Sequence, residues 1–322
     1  MASPRETRMI IVTGRKRIGK SNETLRQLYR FYTQGANARK ALIIDPNNEY
    51  GAYELHESGI GKTIVRVPLL GHDDILKFNR QKFIEIRRIV PIDKYGYPLA
   101  PEQTDELILK TLTEFRSGCL FIEDLNTIFG DSLPKRVSGF FSNNAHRDCD
   151  IVLQMQSVGR VLPKMYQNAQ FFRFHQQLDS IDNSKNKLQE DYEIFKIAEH
   201  LVGFQYNSGN IRYFIWVDKE DKKIRGNYTS NMFAHACMSY LSENDKIVNK
   251  EYNKKDLLSN NRKHSTQLDA IIYLIERLFN EYSIIPFDKR PFVDAARQRL
   301  ESKSKKRSVI DSGKNDILML GE

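Results

Sequence analysis

Residues 9–21 read Met9-Ile-Ile-Val-Thr13-Gly14-Arg-Lys-Arg-Ile-Gly19-Lys20-Ser21, a strand-forming run that passes directly into GxxxxGKS. The apolar, β-branched start predicts a buried strand, and the residues from Ser21 to about Tyr32 have the pattern of a helix. Between a strand and a helix, a glycine-rich turn brings backbone N–H groups close to phosphate oxygens and sets the positive end of the helix behind them. Gly14 and Gly19 permit the turn, Lys20 is placed for the β and γ phosphates, and Ser21 for Mg²⁺. The candidate nucleotide contacts are Gly14, Arg15, Lys16, Arg17, Ile18, Gly19, Lys20, Ser21 and Asn22. Arg15, Lys16 and Arg17 are unusual additions, and four destinations stay open for them: nucleotide, a neighbouring subunit, DNA or solvent.

Outward from this loop, short apolar runs alternate with longer helix-like segments as far as about residue 175. Strands are expected at Met9 to Thr13, Ala41 to Asp45, Arg87 to Ile92, Cys119 to Glu123, Ile151 to Met155 and Phe171 to His175. Helices are expected at Ser21 to Tyr32, Pro101 to Arg116 and Pro134 to Ala145. Alternation of this kind predicts a parallel sheet with crossover helices, buried on both faces. Beyond Leu178 the sequence predicts a polar helix from Ser184 to Val202, then strands at Ile211 to Val217 and Lys223 to Gly226 around a turn at Asp218 to Lys222. Lys246 to Lys263 reads as a polar linker, Gln267 to Tyr282 as a helix, and the residues from Glu301 as a solvated tail. The expected division is an ATPase core over 1–245, with 178–245 as its extension, and a basic, mainly helical appendage over 246–322.

Cys119-Leu-Phe-Ile122 ends in Glu123-Asp124, a buried strand that delivers two carboxylates. Placed beside a phosphate loop, such a pair serves the Mg²⁺ shell and the attacking water. By position Glu123 takes the metal and Asp124 the water, although the roles can exchange because the side chains differ by one methylene. Ile151-Val-Leu-Gln-Met-Gln156 carries polar residues at its C-terminal end, where α/β sheets bind ligands. Gln156 is the candidate sensor of the γ-phosphate or of the water; Gln154, on the same strand face, has the alternative reading of a satisfied core amide. Arg147 is the candidate arginine finger acting on a neighbouring subunit, with Arg160 and Arg173 as rivals.

The phosphate loop, Ile43-Ile-Asp-Pro-Asn-Asn-Glu-Tyr50, the FIED segment ending at Asp124 and the LQMQS segment ending at Ser157 together resemble the FtsK–HerA superfamily of DNA-pumping ATPases. The second of these is similar to the DPxGEY signature of the HerA branch, with Asn48 in place of its glycine, and Glu123-Asp124 reverses the usual order of the acidic pair. The matches span about residues 9–178. The resemblance implies an α/β, RecA-like P-loop NTPase with a mainly parallel central sheet flanked by helices and, here, a small C-terminal helical appendage. It implies ATP and Mg²⁺ as cofactors and a homo-oligomeric ring, usually a hexamer, that threads DNA, with double-stranded DNA expected. Eight residues precede the first strand and no membrane helix is expected, a layout similar to that of viral genome-packaging ATPases. A capsid vertex or portal protein is then the implied docking partner, and the host cytoplasm or the virion the implied location.

Composition is consistent with this reading without requiring it. The 322 residues are 40% hydrophobic and 28% charged, which excludes collagen-like and generally disordered chains. No apolar run approaches the ~20 residues of a spanning helix. Cys119, Cys149 and Cys237 suit neither a disulfide framework nor a zinc site, and reduced thiols are expected. The net charge of +9 is unevenly spread: residues 1–40 hold ten basic and two acidic side chains, and 246–314 hold sixteen and nine. Charge near the loop serves phosphate as readily as DNA. The tail, with Lys303, Lys305, Lys306 and Arg307, is the independent candidate for DNA contact. Two other functions share these motifs: a nucleotide-dependent assembly or regulatory switch, and a HerA-like motor of conjugation or defence. A small-molecule kinase is disfavoured because no lid segment is evident.

Overall fold

Strands without polar alternation need cover on both faces, and the fold provides it. The computed structural model describes residues 7–35, 38–57, 61–124, 135–142, 147–256 and 260–289. Two compact units divide the chain, Met1–Lys222 and Lys223–Glu322. In the first, the elements run β1 (Met9–Thr13), α1 (Lys20–Gln27), β2 (Lys40–Ile44), β3 (Tyr53–Glu57), β4 (Gly61–Val65), α2 (Ile75–Arg80), β5 (Ile86–Ile89), α3 (Pro101–Glu114), β6 (Gly118–Glu123), α4 (Lys135–Ser142), β7 (Cys149–Met155), α5 (Pro163–Asn168), β8 (Phe171–His175), α6 (Lys185–Leu188), α7 (Tyr192–Asn207) and β9 (Phe214–Asp218). In the second they are β10 (Lys223–Arg225), α8 (Ser230–Glu243), α9 (Asp245–Tyr252) and α10 (Gln267–Tyr282).

The strands of the first unit lie in the order β9-β8-β1-β7-β6-β2-β5. All neighbouring pairs are parallel except β8 with β9, whose residues Phe171 and His175 face Asp218 and Phe214. One strand, β7, is thus inserted between the strand that leads into the phosphate loop and the strand that carries the acidic pair. Met9 to Thr13 of β1 pair with Ile151 to Met155 of β7, and Glu123 of β6 pairs with Gln154. Because parallel strands end at the same edge, the loop after β1 and the C-terminal ends of β6 and β7 converge. The cover over one face includes Leu25 and Leu28 from α1 and the turn after it, packed with Ile10, Val12, Ile43, Phe121 and Val152. Both β6 and β7 are buried along their whole length, which accounts for the burial of Cys119 and Cys149, neither of which is in a disulfide.

The second unit is held by helix packing. Thr229 caps α8 by accepting from the Met232 N–H, and Thr266 with Asp269 forms a reciprocal capping box at α10. One face of α10, including Ala270, Leu274, Ile275 and Leu278, is buried, and Phe279 meets Phe233 of α8 edge-on at 4.7 Å. No helix among the described residues is long and apolar enough to cross a membrane.

Several local expectations are corrected. The helix from Ser184 to Val202 is broken into α6 and α7, because Gln189 takes φ 47 and ψ −113 between them. The segment Lys246 to Lys263 is not wholly a linker: α9 occupies its start, with Val248 and Glu251 turned inward. The helix after the phosphate loop changes at Leu28 to a wider π turn through Tyr32. The strand expected from Ile211 begins at Phe214. The antiparallel pair β3–β4 was not expected; β4 is mostly exposed, so it lacks the apolar run by which a strand is read. The composition change near residue 245 falls between α8 and α9, within the second unit. Pro134 and Ala145, the expected ends of the helix containing α4, and the basic tail from Glu301 lie outside the described residues.

Candidate nucleotide site

Between β1 and α1 the backbone makes a turn that ordinary side chains resist. Gly14 has φ 149, and a Cβ there would lie 2.7 Å from His175 Cβ; Gly19 has φ 87 immediately before α1. Arg17 also takes a positive φ, 64, in the left-handed region. Ile18 is buried and anchors the loop to the core. The Lys20 ammonium curls back and donates to the carbonyls of Gly14 at 2.6 Å and Arg15 at 2.7 Å. Burial lowers its pKa to about 8, while the charges of Glu123 and Asp124 hold it up.

On the facing side, Ser21, Glu123 and Gln154 form a closed triangle. Ser21 Oγ donates to Glu123 Oε1 at 2.8 Å, and Gln154 Nε2 lies 2.7 Å from the same oxygen and 3.0 Å from Ser21 Oγ. Among the described residues, Glu123 Oε2 and Gln154 Oε1 are buried with no hydrogen-bond partner. Burial raises the Glu123 carboxyl to about 7 despite the bond from Ser21, and the charges of Glu49 and Asp45 add to the rise. Asp124, at φ 46 just past β6, accepts from Gln156 Nε2 at 3.2 Å. The sequence offered Gln154 the part of a satisfied core amide; its bonds to Ser21 and Glu123 bring it to the cavity instead.

The segment 45–50 after β2 supplies a third wall. Asp45 is fully buried and accepts from the backbone N–H groups of Glu49 at 2.9 Å and Tyr50 at 3.0 Å. Its carboxylate also takes Arg88 Nη1 at 3.1 Å, and Arg88 bonds the Asn48 amide oxygen as well. Asn48 sits at φ 55, a left-handed position where glycine is favoured and asparagine is the tolerated alternative. Loss of solvent raises the Glu49 carboxyl, helped by Asp45 and Asp124.

These walls enclose a cavity of about 370 Å³. Of the residues singled out in the sequence, Lys16, Arg17, Gly19, Lys20, Ser21, Glu123, Asp124, Gln154 and Gln156 line it. Gly14 serves through its carbonyl, and Arg15 instead donates to Tyr206 Oη at 3.2 Å. The Asn22 side chain exchanges two bonds with the His56 backbone and so ties α1 to β3. Arg147 is not brought to the cavity: it precedes β7 at the other end of the sheet, bonded to the Leu112 carbonyl and 4.9 Å above the Phe140 ring. Its rival Arg173 is fully buried, with Nη2 donating to the Lys20 carbonyl at 2.8 Å and Nη1 to Gln27 at 3.1 Å. Asn47, Glu49 and Tyr53 line the cavity but were not singled out. The signal for Asn47 and Glu49 was the DPNNEY segment, read in the sequence only as a family resemblance; Tyr53 lies at the start of β3, which the sequence did not reveal.

Ser21 and Glu123 fit a small hard cation: both offer oxygen, and Glu123 Oε2 has no hydrogen-bond partner among the described residues. A loop of this geometry with two acidic groups opposite can bind a polyphosphate and polarise water beside it.

No protein-family model matches the chain, and no curated protein sequence does. Among solved structures it is similar to the genome packaging NTPase B204 of Sulfolobus turreted icosahedral virus 2 in complex with AMP, at 16% identity and a TM-score of 0.44, over 69% of this chain and 98% of that one. It is also similar to B204, the DNA-packaging ATPase of Sulfolobus turreted icosahedral virus, at 14% identity and 0.44, over 69% and 98%. The N-terminal domain of zonular occludens toxin from Neisseria meningitidis matches at 11% identity and 0.30, over 52% of this chain and 76% of that one.

Proposed function

We propose that this chain hydrolyses ATP to move double-stranded DNA, as a ring-forming member of the FtsK–HerA superfamily of the genome-packaging type. The observation that carries the hydrolytic part is the triangle of Ser21, Glu123 and Gln154 opposite Lys20, on a sheet with β7 inserted between β1 and β6. The DNA part rests on the DPNNEY resemblance and on the basic loop and tail.

Lys20 exchanges its two loop carbonyls for phosphate oxygens, and the amides of the Gly14–Ser21 turn surround the rest. Ser21 and Glu123 would hold Mg²⁺, which when bound neutralises charge across the β and γ phosphates. The bond from Ser21 to Glu123 favours Glu123 as the residue on the metal side. Asp124 lines the cavity and is oriented by Gln156, which suits it to accept the proton of the attacking water. The bond from that water to the γ-phosphorus forms as the bridge to the leaving diphosphate breaks, and Gln156 reads the change at the γ position.

Steady-state ATP hydrolysis by the purified protein, with and without double-stranded DNA, tests this reading. Stimulation by DNA supports it. Slow turnover indifferent to DNA, with a protein partner captured only in the ATP state, selects the regulatory switch instead.

A further inference from the structure

Arg212 belongs to none of the motifs, yet its side chain lies on the phosphate loop. A Cβ added at Gly19 would meet the Arg212 Cγ at 3.3 Å, Cδ at 3.5 Å and Cβ at 3.8 Å. The aliphatic stem is therefore pinned against the loop just before α1. Its guanidinium is exposed and makes no hydrogen bond or ion pair among the described residues. Its charge is felt at Tyr53, which lines the cavity.

The surroundings offer this cation little to pair with. Lys16, Arg17 and Lys20 lie on the same loop, and the positive end of α1 points the same way. Two of the other arginines nearby are occupied: Arg15 donates to Tyr206, and Arg173 is buried among Lys20, Thr24 and Gln27; Arg17 lines the cavity on the loop itself. A free guanidinium over a cradle of positive charge gains a partner when an anion enters. The fold also fixes where it stands. Arg212 precedes β9, whose first residue Phe214 pairs with His175 at the end of β8, so it stands at the edge of the sheet where the phosphate loop lies. The connection is braced by backbone bonds from Ser208 to Phe204 at 3.1 Å, Asn210 to Gln205 at 3.0 Å and Tyr213 to Asn210 at 3.1 Å. Along the sheet, β9 and β6 are on opposite sides of β1, so Arg212 and the acidic pair come to the loop from opposite sides.

We propose that Arg212 is a nucleotide ligand supplied by the same chain, its guanidinium pairing with phosphate oxygens of the bound nucleotide from the side away from Glu123. This rests on the reading of the cavity as a nucleotide site. Gly19 then serves twice, by turning the backbone and by leaving room for the Arg212 stem.

The test is calorimetric titration of the full chain with a non-hydrolysable ATP analogue, with ADP and with adenosine, comparing wild type, Arg212→Ala, Arg212→Lys and Lys82→Ala. Lys82 is an exposed cation away from the cavity, so it controls for net charge. Loss of a charge-assisted pair predicts about ten- to hundredfold weaker binding of the ATP analogue and of ADP to Arg212→Ala. Arg212→Lys should recover part of the loss, Lys82→Ala should bind as wild type, and adenosine binding should not change. Equal affinity of wild type and Arg212→Ala overturns the proposal, as does an equal loss in Lys82→Ala, which would mean a diffuse field. A wild type that binds no nucleotide overturns the reading beneath it instead.

Discussion

Replacing Glu123 by glutamine removes a buried charge while keeping most of its hydrogen-bonding outline. Burial raises the carboxyl from its ordinary 4.5 to about 7, so the folded chain holds that proton more tightly than the unfolded one. Stability from this group is therefore greatest when it is protonated and falls as pH rises from about 4.5 through 7. Each tenfold in proton affinity is worth about 1.4 kcal/mol, so keeping the carboxylate ionised above pH 7 costs the nucleotide-free fold on the order of 3 kcal/mol. In Glu123→Gln the oxygen addressed by Ser21 and Gln154 remains, and the new amide N–H replaces Oε2, which has no hydrogen-bond partner among the described residues. If that N–H stays unpaired it returns about 1–3 kcal/mol. The net expectation is a gain of about 0–2 kcal/mol at pH 8, or about 2–4 °C in Tm per kcal/mol for a unit of this size. Most of the gain should vanish by pH 5, and ATP hydrolysis should be lost at every pH. Thermal melts of both proteins from pH 5 to 8 measure this. A variant less stable than wild type at pH 8, or a gap that does not change with pH, refutes the account of Glu123 as a buried, strained carboxylate.

Further substitutions read other parts of the site. Lys20→Ala should lower kcat at least about a hundredfold while leaving the melting temperature nearly unchanged, because the ammonium bonds only two loop carbonyls; steady-state kinetics and a melt on one preparation check both. Asn48→Ala should cost about 1–2 kcal/mol in urea unfolding, for the left-handed backbone and the lost Arg88 bond, and Asn48→Gly clearly less. Arg173→Ala should destabilise by about 3–5 kcal/mol, since it strips the buried donor that ties β8 to α1; a change under about 1 kcal/mol in the same assay would remove that role.

What could be read from the sequence follows what burial writes into it. Strands covered on both faces, such as Met9–Thr13 and Gly118–Glu123, appear as unbroken apolar runs, and the phosphate loop is identified by its glycines at fixed spacing. The β3–β4 pair left no such trace because residues 61–64 are exposed. The break at Gln189 was hidden because a positive φ on a non-glycine residue has no sequence signature. Val248 and Glu251 are buried in a segment otherwise rich in Asn and Lys, and that composition concealed α9. Within the site, Glu123 and Ser21 were legible, but the place of Glu49 depends on how Asp45 folds its own turn. Arg212 reaches the loop from a distant part of the chain, and no local pattern records that approach.

The central claim is movement along DNA driven by ATP, and displacement of a triplex-forming oligonucleotide from double-stranded DNA measures it directly. The account predicts displacement that requires ATP and Mg²⁺, is absent with Lys20→Ala and weakens steeply as salt rises. ATP hydrolysis by the intact protein with no displacement from any duplex would contradict it.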